Sequence, residues 1–196
     1  MTRTLTTELV EQLTFQWEGA TRPRLAGLTD EEYLWEPAPG WTIRAAGSPG
    51  ATDIGSGDFR IDYSLPTPEP PPLTSIAWRM AHLTIGVFGM RTAAHFDGPP
   101  LDHGTFPYAG TAAGGLAQLD AAYAGWMAGV RGLDDAALAR PVGPAEGPYA
   151  EHPMITLVLH ITREALHHGA ELLLLRDLWR SQESFSAHPV GRGRAV

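Results

Sequence analysis

The chain has 196 residues, with 22 Asp and Glu against 14 Arg, no Lys, no Asn and no Cys, giving a formal charge of −8. That length suits one domain, and 43% hydrophobic with 18% charged residues is the composition of a chain that buries a core. The missing residue types exclude disulfides, zinc ribbons, thiol catalysis, a P-loop lysine and a Schiff-base lysine, and the acidic balance argues against a nucleic-acid partner.

The one basic cluster is Arg192 and Arg194 near the end, and the exclusive use of Arg reads as a GC-rich coding bias. No run of about 18 apolar residues suggests a membrane span. Glu8 and Glu11 interrupt any apolar signal core after Met1, so a cytoplasmic location is expected.

Leu9, Val10, Leu13 and Trp17 recur at helical spacing and predict a first long helix from about Thr6 to Leu25. Thr29 followed by Glu32 is a capping box, so a short helix begins there and ends at the Pro/Gly stretch 36–40. Residues 36–72 are rich in Pro, Gly and Ser. Within them Trp41–Arg44 and Phe59–Tyr63 alternate apolar and polar side chains, which predicts a small hairpin over the bundle. So long a connection is uncommon in a compact domain unless it has a task.

A second long helix follows three prolines, with Thr74 as cap, and runs to about Ala94. A third spans about Gly114 to Arg131, with Leu116, Leu119, Ala122, Tyr123, Trp126 and Val130 on one stripe and Gly132 as its stop. Asp134 caps another short helix. The fourth long helix starts near Pro153 and reaches about Arg180, where Arg176 and Arg180 would complement the helix dipole. It reads as apolar nearly all round and therefore buried. The expectation is an all-α, four-helix bundle over residues 1–181 with one long crossover loop carrying a small β-hairpin, and a flexible tail over 182–196.

Function must then be read from inward-pointing polar residues. On the fourth helix His160, Glu164 and His168 stand at i, i+4 and i+8, which stacks them along one face. A carboxylate and imidazoles among leucines need partners, because an unpaired buried carboxylate is costly by several kcal/mol. A divalent cation would satisfy several at once, and His82, in an otherwise apolar stretch of the second helix, offers a third ligand. Two imidazoles and a carboxylate leave positions open for water or substrate and suit zinc and other divalent metals. Plainer readings stand beside this one. A lone buried His is often a hydrogen-bonded core residue, and a helical Glu–His pair can be a charge-assisted hydrogen bond. His160 is an alternative ligand, His167 is expected beside the site or facing a partner, and His95 and His103 are expected at the surface. Glu171 is expected to hydrogen-bond a neighbouring helix. Arg79 is expected to form an ion pair in preference to binding a substrate carboxylate.

Three segments together resemble the DinB-like (DinB/YfiT-type) metalloenzyme superfamily, in particular its mycothiol S-transferase-like branch: Gly27–Pro37, Thr74–Leu83, and Arg163–Leu172 ending in Leu175–Leu178. The resemblance spans roughly residues 5–180. It implies a four-helix bundle, often a homodimer, with a divalent metal held by one His of the second helix and two residues four apart on the last. Those positions are His82, Glu164 and His168. Many relatives carry His where Glu164 stands, while a carboxylate there matches the branch similar to mycothiol-dependent isomerases.

A cation with open positions lowers the pKa of a bound water or thiol. With no Cys in the chain, a thiol nucleophile must arrive as a cosubstrate. The resemblance suggests mycothiol or another low-molecular-weight thiol acting on a small electrophile, with zinc as the first metal and nickel, manganese or iron behind it. Loop 36–72, with Trp41, is expected to lid the pocket. Two other classes stay open: a non-catalytic metal-binding or empty helical-bundle dimer, and a metal-dependent hydrolase with His167 or Glu171 as acid/base.

Overall fold

The computed structural model describes residues 3–187. Its four long helices form the expected bundle. The first runs as Leu5–Gln16, a π turn Trp17–Thr21 and Arg22–Arg24, and begins at Thr4, whose hydroxyl accepts from the Thr7 amide. Leu13, Trp17 and Thr21 are its buried residues, spaced by four. In a regular helix a four-residue step drifts by about 40°, since 3.6 residues make a turn. The wider π turn offsets that drift and keeps all three inward. Trp17 then stacks on Tyr123 (ring centroids 5.3 Å, 17°) and meets Phe88 edge-on (5.6 Å, 85°), which locks the first helix to the third and second.

The short helix Asp30–Leu34 begins at Thr29, whose hydroxyl accepts from the Glu32 amide as the capping box predicts. The Glu32 carboxylate does not return to the cap. It crosses to Arg176 on the last helix at 2.8 Å, where both side chains are buried.

The second long helix is Ile76–His82, a π stretch Leu83–Gly89, and Met90–His95. Its cap is Ser75, one residue later than expected, because Thr74 is engaged in a bridge with Trp41. The π stretch begins directly after His82, and such widened turns often mark functional positions. The third long helix, Ala112–Arg131, starts two residues before the predicted Gly114 because Thr111 caps it, and Leu119, Tyr123, Trp126 and Val130 are buried. Asp134 caps Asp135–Ala139 as expected.

The fourth long helix, Met154–Ala187, overruns the predicted end near Arg180, so the expected tail begins inside it; residues 188–196 lie outside those described. Two expectations for it are corrected. It is not buried all round: Leu157, Val158, Ile161, Ala165 and Leu172 face the core, while Leu159, Leu166, Leu174 and Leu178 are exposed. A run apolar on both faces cannot itself say which one the bundle takes. Arg176 does not serve the helix end, since the helix continues for three more turns and the guanidinium is consumed by Glu32 and the Arg24 carbonyl. No described helix is long and apolar enough to cross a membrane.

Inside the crossover the predicted hairpin forms. Strand β1 (Ile43–Ala45) pairs antiparallel with β2 (Phe59–Ile61), Ile43 opposite Ile61. Two side-chain links fasten it to the start of the second helix, and a third set of bonds, at Asp62, braces the hairpin itself. Thr42 and Ser75 share a hydroxyl hydrogen bond of 2.7 Å, the Trp78 indole N–H donates to the Asp62 carbonyl at 2.7 Å, and the Asp62 carboxylate accepts from the Thr42 amide and from Arg44, each at 3.0 Å. The hairpin is also joined to the loop before the third helix, where the Ser56 amide donates to the Phe106 carbonyl at 2.9 Å. Crossover and loop thereby form one wall beside His82.

Candidate metal centre

His82 sits between two helix neighbours. One turn before it, the Trp78 ring lies nearly parallel to the imidazole (5.5 Å, 10°), itself fixed by its bond to Asp62. One turn after it, Gly86 leaves room for Nδ1; a methyl group at that position would stand 3.3 Å from the nitrogen. His82 makes no hydrogen bond among the described residues. Burial, with further contributions from His168, Arg79, His103 and Arg91, pushes its pKa down to about 3, so the ring is neutral at neutral pH.

The fourth helix brings Glu164 and His168 against this ring. The His82 and His168 rings meet edge to face at 4.7 Å, and His168 Nε2 lies 3.3 Å from Glu164 Oε2. One ligand atom from each of His82, Glu164 and His168 falls within 4.8 Å of the others. The other nitrogen of His168, Nδ1, is 2.6 Å from Glu171 Oε2. A carboxylate can only accept, so Nδ1 carries the proton and Nε2 presents its lone pair toward His82 and Glu164. Arg79 NH1 is also 3.3 Å from Nδ1, but a donor cannot pair with an N–H. Arg79 instead serves Glu171, its Nε 2.9 Å from Oε2 in an ion pair that lacks hydrogen-bond alignment. Burial keeps His168 below the ordinary imidazole range despite Glu171, which pulls the other way. Glu171 and Arg79 thus make the interhelical contact expected of them. The donor chemistry fits a divalent cation: two neutral imidazoles, one with no hydrogen bond and one with its lone pair fixed in direction, plus a carboxylate, converging in half-dry surroundings.

A second grouping of His167, His168 and Glu171 also lies within ligand range. There, however, the Arg79 charge already occupies Glu171, and His167 is largely exposed at 3.3 Å from the same carboxylate. Glu171 is thus engaged by Arg79 and by His168 Nδ1, so its carboxylate is less free than that of Glu164.

His82 and Glu164 line a cavity of about 590 Å³ whose opposite wall includes Trp41, Tyr63, Pro71 and Pro72. The crossover loop therefore borders the site as expected of a lid. His160 lines the same cavity, with Nδ1 3.8 Å from Glu164 Oε1, and is absent from the converging set. Beyond Arg91 and His160 lies a second cavity of about 510 Å³.

Two histidines expected at the surface are not there. His95 is almost fully buried, 2.9 Å from Glu146 Oε1. His103 is half-buried and lines the metal-side cavity. His95 is the last residue of the second long helix and His103 lies in the loop beyond it, so only the tertiary contacts reveal their partners. His167 and Glu171, the acid/base candidates of the hydrolase reading, do not line this cavity.

The family model of the DinB superfamily matches residues 12–172, which includes all three converging residues and the crossover. The chain belongs to the DinB superfamily. Comparison with curated proteins and with solved structures found no match.

Proposed function

We propose that this chain is a metal-dependent transferase of the DinB superfamily, in which His82, Glu164 and His168 hold a divalent cation, zinc first among the candidates. The observation that carries the reading is the convergence of those three side chains within 4.8 Å at the edge of a 590 Å³ cavity. When bound, the cation supplies a positive centre that lowers the pKa of a thiol or water beside it.

The chain's own residues do the rest. Glu171 fixes the His168 tautomer, and Arg79 holds Glu171. Trp78 fixes the plane of His82. Trp41, Tyr63 and the prolines enclose the substrate and restrict water. Because the protein has no cysteine, the attacking sulfur is that of a small cosubstrate thiol of the mycothiol type, and the acceptor is a small electrophile.

The test is elemental analysis of untagged protein, followed by consumption of monobromobimane with and without added thiol. About one equivalent of divalent metal, lost in His82→Ala and Glu164→Ala, and thiol-dependent consumption that follows the metal would bear the reading out. Equal rates without thiol would favour hydrolysis. Absence of metal from wild-type protein grown with metal supplied would leave a non-catalytic bundle.

A further inference from the structure

Once His82 and His168 are assigned to the cation, two imidazoles outside the metal centre line the cavity, the half-exposed His160 and His103, and His103 is the one held by a buried partner. Tyr108 Oη lies 3.1 Å from the His103 carbonyl oxygen and 3.2 Å from His103 Nδ1. A carbonyl only accepts and Tyr108 has a single hydroxyl proton, so both contacts are hydrogen bonds only when that proton goes to the carbonyl. Toward the ring the phenol oxygen can then only accept, and Nδ1 must carry the hydrogen. The neutral ring is therefore the Nδ1–H tautomer, with the lone pair on Nε2, and Nε2 makes no hydrogen bond among the described residues.

The ring is held in place. Tyr63 of the crossover stacks on it at 5.7 Å with an 8° interplanar angle. Tyr108 is buried, and Gly55, at φ +119°, packs so closely on the Tyr108 ring that an added methyl would approach it to 2.6 Å. The tautomer is thus set by a clamp between the crossover and the loop before the third helix. The groups that face His103 are Tyr63, Tyr108, its neighbour Asp102 and, across the cavity, His82. Burial lowers the imidazole below its ordinary range, against the weaker pull of Asp102, so it is a free base at neutral pH.

We propose that His103 is the proton-transfer residue of this cavity, with Nε2 as the base that takes the proton from a nucleophile bound there. The proposal rests on the transferase reading above. As the nucleophile's sulfur or oxygen bonds to the electrophilic carbon, its proton passes to Nε2. The electron pair displaced at that carbon moves to the leaving group or to the adjacent carbon, which then takes the proton back from the imidazolium. No oxidant or reductant is needed. Tyr108 acts through His103 as a positioning residue.

Residue-resolved carbethoxylation by diethyl pyrocarbonate, read by mass spectrometry with and without Zn²⁺, tests the free base without relying on turnover. The expected result is that His103 reacts in both states, while His82 and His168 react only in the zinc-free protein. In parallel, His103→Gln should retain zinc and lower kcat/KM for thiol-dependent bimane consumption by about 10²-fold or more, flattening the acidic limb of the pH profile. A His103 that resists the reagent in wild type, or a His103→Gln enzyme as fast as wild type, overturns the proposal and leaves the transferase reading intact. His82 and His168 reacting equally with and without zinc overturns the metal reading alone. A wild type that turns over with neither thiol nor water overturns both.

Discussion

Glu171 accepts the Nδ1–H of His168 over 2.6 Å, and that bond decides which face of the imidazole is offered to His82 and Glu164. In Glu171→Gln the amide can still accept through its oxygen, but it can also turn its NH₂ to Nδ1, and it no longer attracts Arg79. Zinc affinity measured by chelator competition should fall by about 10- to 100-fold, the range usual when the partner of a ligating histidine is lost. Folding stability of the zinc-free protein should change much less. Unchanged affinity would mean that His168 is oriented by packing alone.

Acid should destabilise the metal-free protein from about neutrality downward. His82 is pushed down to about 3 by burial first and then by the charges around it, and burial also lowers His168 and His103. In the unfolded chain each imidazole takes up a proton near pH 6.5. Between that value and about 3 the unfolded state therefore binds more protons than the native state. Stability rises with pH across this window and falls as pH drops through it, by at most about 1.4 kcal/mol per pH unit for each imidazole. Urea titrations of chelator-treated protein at pH 7, 6 and 5 should show the decline, and His82→Asn should shallow it. A slope in the variant as steep as wild type would assign the acid sensitivity to other groups.

What the sequence made legible follows from periodicity. Glu164 and His168 lie in a strongly helical segment, where a four-residue spacing fixes a shared face, and His82 lies in another. The hairpin strands were readable for the same reason, with a period of two. His103 was not, because its partners come from separate loops: Tyr108 five residues on, and Tyr63 from the crossover. Periodicity alone ends the helix near Arg180 and so makes Arg176 look like a dipole-complementing residue, whereas the helix runs on to Ala187. The true partner of Arg176, Glu32, sits 144 residues away and looked like half of a capping box. Local rules assign a residue its nearest plausible partner, and a buried carboxylate goes wherever a guanidinium can be brought.

Gly86→Ala should weaken zinc binding while leaving the fold intact. The new methyl would lie 3.3 Å from His82 Nδ1 and 3.4 Å from Cε1, tighter than ordinary contact, and the stacked Trp78 ring restricts where the imidazole can move. Alanine favours helix over glycine by up to about 1 kcal/mol, so the thermal midpoint should hold or rise. Chelator competition should nevertheless show weaker zinc affinity, by about the tenfold that a small displacement of one ligand entails. Equal affinity would show that the ring can shift without leaving the site.

Arg176→Met should be the most destabilising of these substitutions. Glu32 and Arg176 are 3% and 2% exposed and pair at 2.8 Å, and Arg176 also donates to the Arg24 carbonyl, tying the end of the first helix to the fourth. Removing the guanidinium alone strands a carboxylate in the core, which is destabilising by about 3–5 kcal/mol. For a chain of this length that corresponds to a fall of about 6–20 °C in Tm. The double variant Glu32→Leu, Arg176→Met leaves no stranded charge and should recover most of the loss, since well-packed apolar replacements of buried ion pairs are often neutral. Thermal melts of the metal-free proteins, followed by circular dichroism, make the comparison. A double variant no better than Arg176→Met would mean that the pair matters for the helix–helix link through Arg24 and not for the charge it neutralises.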